Sequence, residues 1–249
     1  MLDSRAMSEF PVDLNFLRER LAALAAELAD EAQTGVPADP STSEPGQLCD
    51  ALLQLIGLLS QLDGERTEPT ANIGELNTLG EYGLHLLEDL AAQARRIRQA
   101  AASDIEHLSL PFALWVARRG GEIRNLGPVV NALAYFANQN SRPAAMTTLY
   151  GQCCEIIEAA SPASQENFVE QAAHPYRMLL LNRAIVATRS QNPELIEIAF
   201  DSVLDVLPND AQSFFAEAME QMALVDYPEY VRDIVRRYFV EHARPRRLH

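Results

Sequence analysis

Glu81, His85 and Glu88 fall at i, i+4 and i+7, a spacing that puts two carboxylates and an imidazole on one face of a helix. One His with two carboxylates is the start of a metal-ligand set. The paired Glu-x-x-His motifs of di-iron bundles are absent, and the same residues suit a solvated helix face. Asp104, Glu106 and His107 form a second group with acid/base potential, in what reads as a connector before Leu108. Cys153 and Cys154 are adjacent within a helical pattern. Neighbours on a helix point about 100° apart, so at least one should be in the core, as should Cys49.

The least bland group is Trp115 with Arg118, Arg119, Arg124 and Arg142, opposed locally only by Glu122. Tryptophan and arginine are the residues most enriched at binding hot spots, and arginines suit carboxylate or phosphate ligands. These five residues are therefore the expected binding site for a protein or peptide. A further run, Arg232, Arg236, Arg237, Arg244, Arg246 and Arg247, makes the C-terminal tail basic. It can face nucleic acid or the acidic stretch of the same chain.

Reaction signatures are missing. There is no GxGxxG, HExxH, GxSxG, CxxC or EF-hand loop. All 20 basic residues are arginine, which excludes a lysine Schiff base and a P-loop. No catalytic residue and no cofactor are implied.

The net charge of −15 argues against broad nucleic-acid binding and favours a basic partner. It is uneven. Residues 1–108 carry 19 acids against 7 arginines, and residues 190–231 carry nine acids and no base. Three cysteines make no disulfide framework, and no cationic N-terminus leads into an apolar run. The longest apolar stretch, Leu52–Leu59, is too short to span a bilayer. The expected location is cytoplasmic, with no membrane partner.

The elements that must position these residues are helices. Leu14, Leu17, Leu21, Leu24 and Leu28 mark a heptad seam in a helix from about Val12 to Gln33. That seam suits either an intramolecular bundle or a homodimer. A nearly all-round apolar helix over Gln47–Leu62 should be the most buried one of the N-terminal half. A third helix spans Ile73–Ala100, where Gly80 and Gly83 permit close approach of a neighbour. Polar loops occupy Thr34–Gly46 and Asp63–Asn72.

Beyond Leu108, Pro111, Pro128, Pro143, Pro162, Pro175, Pro193, Pro208 and Pro228 recur every 13–20 residues, or 31–35 taken two steps at a time. Proline suits the first turn of a helix and is costly inside one. The spacing predicts Pro111–Arg119, Pro128–Asn138, Pro143–Ala160, Pro162–Ala173, Pro175–Ser190, Pro193–Leu207, Asp210–Val225 and Pro228–His242, with Ser161, Asn192 and Asn209 as N-caps. An Asp233–Arg237 pair is expected on the last helix. The period resembles that of tetratricopeptide repeats, but the Trp-Leu-Gly-Tyr signature is absent, so the likeness is geometric.

The expected fold is all-α: a three-helix N-terminal bundle (1–108) followed by about eight short helices stacked in pairs (109–249), solenoid-like with a right-handed superhelix. The expected function is non-catalytic binding of another protein or peptide. The alternatives are an α-helical metal-dependent or acid/base enzyme and a regulator touching nucleic acid through its basic tail.

Overall fold

A computed structural model of the chain describes residues 11–32, 44–65 and 73–242. Most of the two polar loops lies outside the described residues, as do Arg244, Arg246 and Arg247. The described chain is all helical: α1 (Leu14–Ala32), α2 (Pro45–Glu65), α3 (Ile73–Ile97), α4 (Gln99–His107), α5 (Ser109–Ala117), α6 (Gly127–Gln139), α7 (Pro143–Ala159), α8 (Pro175–Ser190), α9 (Pro193–Val206), α10 (Ala211–Leu224) and α11 (Glu229–His242). Strand-type pairing among the described residues is limited to one isolated bridge between Ile123 and Ala160. The helices pack as sequence-adjacent pairs, α1 on α2, α2 on α3, α8 on α9 and α10 on α11.

Two compact units divide the chain, one of 1–135 with 158–166 and the other of 136–157 with 167–249. The expected boundary at residue 108 falls inside the first. The reason is α5. Every residue from Ser109 to Val116 is buried, and α5 packs on α1, α3 and α4. Its nine residues carry no charge, and a helix apolar all round belongs in a core. This helix, rather than α2, is the most buried of the unit: α2 leaves Leu58 53% exposed.

All five seam leucines of α1 are buried within the chain's own bundle. A homodimer through that seam would require opening the bundle, so the seam is intramolecular. The third helix breaks at Arg98, which is extended (φ −154°, ψ 116°), and the chain resumes as α4. Asp104, Glu106 and His107 thus lie on a helix, not in a connector.

Two glycines set the approach of α5 to α3. A Cβ on Gly83 would stand 2.4 Å from Phe112 Cζ and 2.9 Å from Leu55 Cδ2, and one on Gly80 would stand 3.2 Å from Val116 Cγ1. Phe112 is itself buried and cannot swing aside. Gly83→Ala is therefore expected to destabilise by about 1–3 kcal/mol through overpacking, despite alanine's better helix propensity. Gly57→Ala on α2, where nothing lies within 4 Å, should instead gain up to about 1 kcal/mol. Urea midpoints of the two variants should move in opposite directions.

The second unit is held by α9 packing on both α8 and α11 and by an aromatic cluster. Phe200 meets Phe214, Phe215 and Tyr238 edge-on at 5.1–5.7 Å between centroids. Asn192 caps α9 by accepting from the Glu194 and Leu195 amides. Pro143, Pro175 and Pro193 each stand first in their helices, and Pro111 and Pro128 lie in a first turn. Pro208 and Pro228 sit just before α10 and α11.

Three local expectations fail. Pro162 opens only a four-residue 3-10 helix, Pro162–Gln165, capped by Ser161. The helix expected over 162–173 stops at Gln165: Glu166 is extended (φ −70°, ψ 134°) and Asn167 is left-handed (φ 57°). The stretch offers only Phe168 and Val169 as large apolar anchors, and Val169 is 47% exposed, so packing does not offset the cost of helix nucleation. Asn209 does not cap α10: the N-cap is Asp210, which makes no capping bond because its carboxylate is engaged by Arg177. Asp233 pairs with Arg236, leaving Arg237 to Glu197 of α9.

Candidate functional site

Trp115 sits in the last turn of α5 and is 1% exposed. Its neighbour one turn on, Arg119, lays its guanidinium 4.0 Å from the indole centroid and forms a bidentate pair with Asp63 at 2.6 and 2.7 Å. The stem of Arg119 covers the indole while its head reaches Asp63 on α2. The indole is thus a core side chain and not a surface anchor. Arg118 is exposed, and Arg124 pairs with Glu81 at 3.2 Å. Arg142 is exposed and belongs to the second unit. The expected cluster is thereby divided into an interior pair, a surface pair and a residue of another unit.

The Glu81, His85 and Glu88 stripe has a different role from the one its residue types suggest. Asn77, Glu81, His85 and Glu88 run along one face of α3. The segment after α5 lies against them. Asn77 Oδ1 accepts from the Glu122 amide at 2.8 Å, and Arg124 donates to Glu81. Asn125 Nδ2 donates to Glu88 at 3.1 Å and stands 3.4 Å from His85 Nδ1. This ladder secures Glu122–Asn125, and Gly120 (φ 78°) supplies the left-handed turn that directs the chain there. The carboxylates are spread along the helix instead of converging. Among the described residues no group of three or more His, Cys, Asp or Glu is arranged to hold a metal ion.

On α4, Glu106 pairs with Arg95 and Asp104 with Arg20 at 3.8 Å, while Arg98 pairs with Glu27 at 3.1 Å. These pairs join α4 and the end of α3 to their neighbours, and pairs of this kind contribute about 0–1 kcal/mol each. His107 points inward. It is 7% exposed and stacks on Tyr135 with centroids 3.4 Å apart and planes 17° from parallel. Burial pushes its imidazole down to about 4, against the opposing pull of the Asp104 carboxylate. At neutral pH it is an uncharged stacking group.

The cysteines are free thiols. Burial raises Cys153 to about 12 and Cys49 to about 11, the latter helped by Asp50. Neither offers a thiolate nucleophile at neutral pH. Among the described tail arginines, Arg232 pairs with Asp226 at 2.7 Å, Arg236 with Asp233 at 2.6 Å, and Arg237 with Glu197. That part of the basic run is neutralised by the chain's own acids.

Asp63, Asn77 and Asn125 are the partners sequence reasoning missed. Each is 37 to 56 residues from the group it engages, so no local spacing announces it. No helix among the described residues is long and apolar enough to cross a membrane. No protein-family model matches the chain, and no curated protein and no solved structure matches it either.

Proposed function

We propose that the protein is a non-catalytic helical protein that binds a basic, amphipathic segment of another protein through α9 and α10. The observation that carries this reading is a pair of exposed helix stripes, one on α9 and one on α10, in which carboxylates alternate with uncovered apolar side chains. On α9, Ile198, Asp201 and Asp205 are exposed at i, i+3 and i+7. On α10, Glu217, Glu220 and Leu224 repeat the same spacing, with Leu224 77% exposed. Arg237 and Arg177 reach this stretch but go to Glu197 and Asp210, and Asp201 accepts from the Tyr238 hydroxyl at 2.6 Å, so these four carboxylates keep their charge. Uncovered apolar groups within a single-sign field favour a partner that brings both apolar area and positive charge.

The test uses a synthetic helix with leucines at i, i+3, i+4 and i+7 and arginines on the remaining face. A peptide of equal charge without the leucines is the control. The expected result is binding at low salt that weakens as salt rises, with amide NMR shifts confined to α9 and α10 and loss on combining Ile198→Asp with Leu224→Asp. Equal binding of the control peptide, or shifts confined to the first unit, would contradict the reading.

A further inference from the structure

Glu197, Asp201 and Asp205 stand at i, i+4 and i+8, one line along α9. α11 packs beside α9 and meets that line in register. The Tyr230 hydroxyl donates to the Gln191 carbonyl at 2.9 Å, Arg237 pairs with Glu197, and the Tyr238 hydroxyl donates to Asp201 at 2.6 Å. The partners advance together along both helices, so α11 runs in the same direction as α9. Their separations in sequence are 39, 40 and 37 residues.

Asp205 is the next carboxylate on the line. It is exposed, and no described cation pairs with it. The step from Asp201 to Asp205 is about 6 Å along α9, and the step from Tyr238 to His242, where α11 ends, is the same. At the offset of 37 to 40 residues, Asp205 falls opposite 242–245. His242 is turned to α10, its ring 6.0 Å from Phe215 and 6.2 Å from Tyr238. The next cation in the chain is Arg244, followed by Arg246, Arg247 and Leu248. A guanidinium takes a carboxylate through two parallel N–H···O bonds, so Arg244 suits Asp205 as Arg237 suits Glu197.

We propose that residues 243–249 dock on the C-terminal end of α9, with Arg244 paired to Asp205, and cover the α9 stripe from within the chain. Continuity with the α9–α11 contact brings the segment there, and charge holds it: its arginines meet a stretch, 190–231, of nine acids and no base. Arginines with a leucine are also the chemistry of the basic amphipathic partner. On the peptide-binding reading, on which this consequence rests, the segment is a tethered competitor. Its effective concentration is on the order of millimolar, and an incoming peptide has to displace it.

Amide NMR spectra of the full chain, Arg244→Gln, Asp205→Asn and the variant carrying both test the docking. Arg244→Gln should shift the amides of residues 203–207, and should shift them no further in the Asp205→Asn background. Raising salt should move the same amides of the unsubstituted protein toward their Arg244→Gln positions, a result that needs no variant to fold. With Arg244→Gln, Arg246→Gln and Arg247→Gln combined, the basic leucine peptide should bind about three- to tenfold more tightly. Amides of 203–207 that stay in place in Arg244→Gln, or that move equally in the Asp205→Asn background, would overturn the proposal, as would a peptide that binds both proteins equally well. A peptide that binds neither would sink the peptide-binding reading, and the 203–207 amides then decide the docking by themselves.

Discussion

Replacing Trp115 with alanine is expected to lower the stability of the first unit by about 3–5 kcal/mol, the range for deleting a large buried aromatic. The indole is fully enclosed in α5, whose own residues from Ser109 to Val116 are all buried. Its loss leaves a cavity and removes the surface on which Arg119 lies. Domains of this size are stable by about 5–15 kcal/mol, so the loss takes a large fraction of the total. Urea unfolding followed by circular dichroism measures it, and Trp115→Phe should fall between the two. An indole serving as a surface anchor would give the opposite pattern: a change within about 0.5 kcal/mol in stability, with the effect confined to binding.

The second large effect is an acid-side loss of stability centred on His107. In the unfolded chain its imidazole titrates near 6.5, and in the native unit near 4, because burial opposes the charge more than Asp104 favours it. Above pH 6.5 the ring is neutral in both states and pH has no leverage through it. Between 6.5 and 4 the unfolded chain takes up the proton and the native one does not, so stability falls as pH falls. Below 4 the loss levels off at about 3 kcal/mol. His107→Phe keeps an aromatic ring against Tyr135 and removes the titration. The gap between urea midpoints at pH 7 and pH 4.5 should be larger in the parent than in this variant. Equal gaps would contradict a buried neutral imidazole.

What was legible in the sequence was local. The α1 seam announced itself by the spacing of five leucines, and all five are core. Asn192 before Pro193 marked the start of α9, because a side-chain acceptor followed by an imino acid satisfies the first turn by itself. Gly83 signalled close approach because a missing side chain is informative only where something fills its place, and Phe112 does. The α3–α4 break at Arg98 left no trace, since no proline or glycine stands there and the Arg98 amide still bonds the Ala94 carbonyl at 2.7 Å. The break follows from how α4 packs on α1 and α3, a long-range cause.

The burial of Trp115 is hidden from its sequence neighbourhood for a related reason. Its sequence neighbourhood holds four arginines, but Asp63, which fixes Arg119 above the indole, lies 56 residues away. The uncharged run from Ser109 to Ala117 was the better clue, because such a helix has no polar face to give to solvent. The spacing of Glu81, His85 and Glu88 does place them on one face of α3. The use of that face is hidden because the groups it holds, Glu122, Arg124 and Asn125, lie 37 to 45 residues away in sequence.

The only tryptophan of the chain tests the central claim directly, since Trp115 is a core residue and the proposed binding surface lies on α9 and α10. The measurement is the emission maximum and acrylamide quenching of the native protein, with and without the basic leucine peptide. A buried indole under Arg119 should emit to the blue, resist quenching and remain unchanged when the peptide binds. A red-shifted, freely quenched emission that the peptide protects would place Trp115 at the surface and contradict the account.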